Sequence, residues 1–255
     1  MFPCLTRNGS RRWMTQKLVA HRGLHGPGRP ENSLAAFEAA LDRGFAMECD
    51  VRLLADGEVA VFHDTDLKRL AGVPGNILHL DSNTLKSLQL LGTDEQPPLL
   101  RELLDMVAGQ EPVYIELKSE ARPESLARAV LMALKGYSGP FALASFDPQA
   151  LAWLRRAEPD AIRVQIATDF RHKPHPTLRE KVQYRRLRHL RLSRPHAVAY
   201  DLRALPFGPV ERFRRIHGPV LAWTARSPAE FSFARQHADN VIFEGIVPEE
   251  SKQLD

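Results

Sequence analysis

Three carboxylates, two histidines, an arginine and a lysine fall where they could serve one reaction. Glu48 and Asp50 lie two residues apart in an apolar run, Ala46-Met47-Glu48-Cys49-Asp50-Val51, and Glu116 and Lys118 close another, Val113-Tyr114-Ile115-Glu116-Leu117-Lys118. On a strand, residues two apart share a face, so each pair points one way while Cys49 and Val51 point the other. Carboxylates gathered in one cavity repel each other and resist desolvation; they need a cation or must take up protons. An all-oxygen set suits a hard divalent ion, Mg²⁺ or Ca²⁺, rather than zinc. His21-Arg22 and His63-Asp64 follow two other apolar runs. Arg22 and Lys118 can neutralise the non-bridging oxygens of an anionic phosphorus centre, while one histidine accepts a proton and the other protonates a leaving oxygen. Singly, each residue has a plainer role. Glu48 and Asp50 could pair with Arg22, Arg52 or Lys118, the histidines could be satisfied structural groups, and Arg22 could be a surface arginine.

The elements that must position these groups alternate along the whole chain. Apolar, β-rich runs at 18–20, 46–51, 112–117, 141–144, 162–166, 197–200, 220–223 and 241–243 make eight principal strands, and 59–62 forms a hairpin partner after the Asp56-Gly57 turn. Helical spacing recurs between them at Leu34/Phe37/Leu41, Leu100/Leu103/Leu104/Val107, Leu126/Val130/Leu134, Leu151/Leu154, Leu178/Val182/Leu187/Leu190 and Phe231/Phe233/Ala234. Asn32 or Ser33 can cap the Leu34 helix, and Gly44 stands where a left-handed residue ends it. This order predicts an α/β fold, a (β/α)8 barrel whose strand ends meet at one mouth. A doubly wound open sheet is the alternative, but the first strand runs into His21-Arg22-Gly23 and not into G-x-G-x-x-G.

Composition agrees with one globular domain. The 255 residues are 44% apolar and 26% charged, and Lys+Arg 35 against Asp+Glu 31 leaves a charge of +4. Disorder and a disulfide scaffold are excluded, the latter because Cys4 and Cys49 are the only cysteines. No run approaches the roughly 18 to 20 apolar residues that cross a bilayer, and the start lacks the apolar region of a signal peptide, so the expected compartment is the cytoplasm. Residues 1–17 read as an N-terminal extension of a single catalytic domain over 18–255. Between 171 and 194 only Glu180 offsets Arg171, Lys173, Arg179, Lys181, Arg185, Arg186, Arg188, Arg191 and Arg194. A solvated helix face over Leu178, Val182, Leu187 and Leu190 accounts for this segment plainly; the sharper reading is peripheral contact with an anionic membrane, with nucleic acid disfavoured.

His21-Arg22-Gly23, Pro30-Glu31-Asn32-Ser33 with Ala36-Phe37, Glu48-Cys49-Asp50-Val51, Asp56-Gly57, Phe62-His63-Asp64 and Glu116-Leu117-Lys118 follow one another in an order that resembles the glycerophosphodiester phosphodiesterases of the cytoplasmic bacterial type. The resemblance implies a TIM barrel with a small insertion after the second strand, about 63–110, and hydrolysis of glycerophosphodiesters to sn-glycerol 3-phosphate and an alcohol. By motif position, Glu48, Asp50 and Glu116 hold a divalent cation, and His21 and His63 form the acid/base pair; the motif leaves both orders open, and His21 as base with His63 as acid in the first step is the working hypothesis. Arg22 and Lys118 bind phosphate, Glu31 supports the site or contacts substrate, and Trp223 forms part of the substrate wall or packs the barrel. Two departures stand late in the chain: Glu244 where such enzymes commonly have aspartate, and Ala225-Arg226 where they have Val-Asn. Both bear on selectivity more than on chemistry. A lysophospholipase D-like enzyme or a non-catalytic phosphodiester-binding barrel are the alternatives; the second predicts a defective site, yet every position is filled.

Overall fold

The computed structural model describes residues 11–119, 123–169 and 187–248. Eight parallel strands close into a barrel: β1 (Val19–Ala20), β2 (Ala46–Leu53), β4 (Val113–Leu117), β5 (Phe141–Ser145), β6 (Arg163–Ala167), β7 (Ala197–Asp201), β8 (Val220–Ala225) and β9 (Asn240–Phe243). Closure comes from β1, which pairs with both β2 and β9. The hairpin strand β3 (Val59–Val61) runs antiparallel to β2. All eight expected strands are present.

Alternation sorts the side chains as expected. Met47, Cys49 and Val51 face outward into the layer beneath the helices, as do Val113, Ile115 and Leu117. The intervening residues face the barrel axis. Asp50 lies opposite Glu116 and Glu48 opposite Tyr114, so the register stacks the three carboxylates in adjacent layers. Bulky branched side chains usually fill such an interior. Here Ala46, Ala142, Ala144, Ala197 and Ala199 occupy inward positions, and a cavity of about 240 Å³ remains below the mouth.

The helix α2 (Leu34–Asp42) is capped by Ser33, whose hydroxyl accepts from the Ala36 N–H at 3.2 Å. Gly44 follows its end at φ +66°. Helices α5 (Leu100–Val107), α6 (Pro123–Ala133) and α7 (Pro148–Ala157) cover the sheet where the apolar spacing placed them. One basic helix, Gly208–Ile216, carries no expectation from periodicity, because Val210 and Phe213 are its only buried residues.

Two expected boundaries shift. The last residues of the stretch read as an extension form a short helix, α1 (Trp13–Gln16), that closes the barrel floor: Met14 is buried, and its carbonyl accepts from Asn240 Nδ2 at 2.8 Å. Asn240 Nδ2 also donates to the Lys17 carbonyl, at 2.7 Å. The insertion after β3 ends before α5, which packs on α2 as one of the barrel helices, and so stops short of residue 110. It contains α3 (Lys68–Ala71), a 3-10 turn at Ile77–His79 and α4 (Ser82–Leu85). Leu67, Leu70, Ile77, Leu85 and Leu90 give it a small core of its own, seated on Leu54, Ala60 and Phe62.

Candidate active site

Strand ends β2 and β4 bring Glu48, Asp50 and Glu116 together, with one ligand atom of each lying within 4.8 Å of the others. Asp50 is the most heavily bonded. Its Oδ1 accepts from Lys118 Nζ at 3.2 Å, its Oδ2 accepts from Asn32 Nδ2 at 2.9 Å, and Arg22 Nε lies 3.0 Å from Oδ2. Burial opposes its ionisation, but Lys118 and Arg22 outweigh burial and hold this carboxyl far below its ordinary range. Lys118 Nζ also donates to Glu116 Oε1 at 2.7 Å. Glu116 is nevertheless raised, by burial above all. Glu48 is raised most clearly: burial and the neighbouring charges of Asp50 and Glu116 push it well above the carboxylate range. Its Oε2 accepts from the Arg22 backbone N–H at 3.1 Å, whereas its buried Oε1 has no hydrogen-bond partner.

That lone oxygen and the excess of negative charge are what a cation would correct. The donors are oxygens only, which fits a hard divalent ion.

The two histidines flank the cluster in similar fashion. His21 Nδ1 donates to Glu244 Oε2 at 3.0 Å, which leaves Nε2 facing Glu48 Oε2 at 3.8 Å. His63 Nδ1 donates to Asp64 Oδ1 at 2.6 Å. A carboxylate only accepts, so each contact puts the proton on Nδ1 and leaves Nε2 for chemistry. Burial lowers both imidazoles from the usual histidine value. Arg52, a possible partner of Glu48 and Asp50 by sequence, instead donates through Nε and Nη2 to the His63 carbonyl at 2.9 and 2.7 Å.

The turn after β1 holds Arg22 in a left-handed conformation, φ 57°. Gly23 follows at φ +76°, and a Cβ there would approach the Ala36 carbonyl carbon to 2.7 Å, so only glycine lets the turn lie against α2. Arg22 Nη1 reaches Glu31 Oε1 at 2.6 Å. Glu31 is thus bonded to Arg22 and is not among the residues that line the cavity. Trp223 does line it, edge-on to Phe146 with ring centroids 5.6 Å apart.

Several residues of the site escaped the sequence reading. Asn32 stands inside Pro30-Glu31-Asn32-Ser33, and its buried amide grips Asp50 through Oδ2 and the backbone N–H. Asp64 follows His63 directly. The two departures, Glu244 and Arg226, meet each other: Arg226 Nη2 donates to Glu244 Oε2 at 2.6 Å. Through Glu244 both departures meet at His21. Burial would raise Glu244, but the bonds from His21 and His25 and the charge of Arg226 hold it far below its usual value.

The glycerophosphoryl diester phosphodiesterase family model matches residues 21–244. A glycerophosphodiester phosphodiesterase of Bacillus altitudinis is 36% identical over 112 residues, which cover 40% of this chain and 45% of that one, so the match spans under half the length of this relative. Among solved structures, the glycerophosphodiester phosphodiesterase of Thermotoga maritima superposes with a TM-score of 0.69 at 28% identity, covering 89% of this chain and 94% of that one. An Oleispira antarctica phosphodiesterase in complex with the product sn-glycerol-3-phosphate gives 0.76 at 23% identity, covering 89% and 92%. With the match running from the first histidine to the carboxylate that holds it, the chain belongs to the glycerophosphoryl diester phosphodiesterase family.

Proposed function

We propose that the barrel mouth hydrolyses glycerophosphodiesters to sn-glycerol 3-phosphate and an alcohol, with His21 as base and His63 as acid. One observation carries the reading: three buried carboxylates gathered within 4.8 Å, one with a lone oxygen, between two imidazoles whose Nδ1 atoms are both tied to carboxylates. A divalent cation held by Glu48, Asp50 and Glu116 would polarise a phosphoryl oxygen and lower the pKa of an attacking hydroxyl. Arg22 and Lys118 line the same cavity and neutralise the remaining phosphate oxygens. The attacking hydroxyl is the substrate's own, on its glycerol, and water afterwards opens the cyclic phosphate with the two imidazoles in exchanged roles; in the first step His21, kept neutral by burial, takes that hydroxyl's proton at Nε2. His63, the more exposed imidazole, delivers a proton to the departing alcohol, and Asp64 balances the charge that step requires. Phe146 and Trp223 wall the apolar side.

The Oleispira protein, which shares the fold, holds sn-glycerol-3-phosphate, and this supports the product assignment. With glycerophosphocholine the protein is expected to release glycerol 3-phosphate, to stop in EDTA and to recover on addition of Mg²⁺ or Ca²⁺; the add-back that restores more activity identifies the ion. Release of phosphocholine, or full activity in EDTA, overturns the reading.

We further propose a cytoplasmic enzyme that touches anionic membranes. Residues 170–186 of the basic segment lie outside the described part. The remainder lines a groove of about 800 Å³ in which Arg191, Arg194 and Arg212 surround Leu187, Leu190 and Phe213. Among the described residues no helix is long and apolar enough to cross a membrane. Co-sedimentation with vesicles containing phosphatidylglycerol is expected at low salt and not with neutral vesicles; equal recovery in both sinks the membrane contact.

A further inference from the structure

We propose that Arg69, on α3 of the insertion, is a positioning residue for the proton donor, acting on His63 through Asp64 while bracing the Arg22 side of the mouth through Glu31. Its guanidinium is used on three sides. Nε donates to Asp64 Oδ2 at 2.5 Å, Nη1 to Glu31 Oε2 at 2.7 Å and Nη2 to Glu31 Oε1 at 2.8 Å. Asp64 turns its other oxygen to His63 Nδ1, and Glu31 Oε1 also receives Arg22 Nη1. Alternating charges thus run His63, Asp64, Arg69, Glu31, Arg22 and end on Asp50 of the acidic cluster.

Arg69 does not line the cavity, and its three nitrogens already face carboxylates, so it does not act as a phosphate ligand. What it supplies is geometry. Asp64 and His63 are 23% and 30% exposed, so packing alone does not fix them; a planar fork that binds one carboxylate with Nε and another with both terminal nitrogens does. The helix that carries the fork is fixed, because Leu67 and Leu70 are buried in the insertion's own core; the guanidinium, 47% exposed, is held by its bonds to the two carboxylates. The insertion therefore works as a bracket: its small core sets α3, α3 sets Arg69, and Arg69 sets the donor against the phosphate-binding arginine.

The inference rests on His63 being the acid, and the test separates the two statements. Glycerol 3-phosphate release is measured from glycerophosphocholine, whose alcohol needs a proton to leave, and from the p-nitrophenyl diester of glycerol phosphate, whose phenolate does not. Arg69→Ala is expected to lower kcat about 10- to 100-fold on the choline diester and under about 3-fold on the nitrophenyl diester. Arg69→Lys, which keeps the charge but not the fork, is expected to fall between. Should Arg69→Ala fold poorly, Asp64→Asn carries the same expectation. His63→Ala is expected to show the same bias, larger. Equal losses on both diesters for Arg69→Ala, or no loss, overturn the positioning role while a biased His63→Ala keeps the acid assignment. An unbiased His63→Ala overturns the acid assignment, and this inference with it.

Discussion

Glu48→Gln is expected to abolish activity and yet to stabilise the metal-free protein at neutral pH. Glu48 offers a fully buried oxygen that has no hydrogen-bond partner, so its loss removes a ligand aimed into the cluster. Bound cations supply several kcal/mol of transition-state charge stabilisation, roughly a 10³-fold rate loss at about 1.4 kcal/mol per decade. Stability moves the other way. The folded-state pKa of Glu48 is raised by burial and by Asp50 and Glu116. Between its ordinary value and that raised value the folded state binds more protons than the unfolded, so stability falls as pH rises across the window. Glu116 is raised too and adds the same sign. Asp50 adds no slope there: its depressed pKa means that its contribution is complete once pH exceeds the ordinary aspartate value. His21 and His63, lowered by burial, contribute the opposite slope below the ordinary histidine value in both proteins, so the difference is what reports Glu48: in EDTA the Tm of Glu48→Gln relative to wild type should rise with pH from acid to neutral, and a divalent ion should lift only the wild type strongly. A Tm difference that stays flat or shrinks as pH rises, or a Glu48→Gln enzyme still activated by metal, would refute the assignment.

His21→Ala is expected to lower kcat by about 10² to 10⁴ with either leaving group. The reason is positional. Glu244 holds Nδ1, Arg226 holds Glu244, and the free Nε2 faces Glu48 Oε2 of the acidic cluster, on a side chain 13% exposed against 30% for His63. A base acts on the attacking hydroxyl, so the quality of the leaving group should not rescue it. KM should change little, because Arg22 and Lys118 carry the phosphate. Rescue by the nitrophenyl diester would instead make His21 the acid and reverse the two roles.

The strand ends were legible because one rule, alternation, governs both fold and site. An apolar run interrupted by charged residues two apart marks a strand that is buried outward and polar inward, as with Glu48 and Asp50 in β2 and Glu116 and Lys118 at the end of β4. The same rule separated Glu48 and Asp50 from Cys49 before any coordinates. Periodicity fails where few residues are buried. The helix Gly208–Ile216 rests on Val210 and Phe213 amid arginines, and α1 is a single turn. The contacts that orient the site were illegible for a different reason. Arg69 with Glu31, Arg226 with Glu244 and Asn32 with Asp50 join segments that no spacing relates, and they become neighbours only when the chain folds.

That closure has a consequence for how an active molecule first arises. The acids and phosphate-binding residues precede α6, but β1 takes its second neighbour from β9, the last strand; the His21 N–H donates to the Phe243 carbonyl at 2.9 Å, and the side chain awaits Glu244. Chains emerge from the ribosome N-terminus first. A nascent chain thus carries Glu48, Asp50 and Glu116 long before His21 is oriented, and a product truncated before Asn240 has the acids without the oriented imidazole.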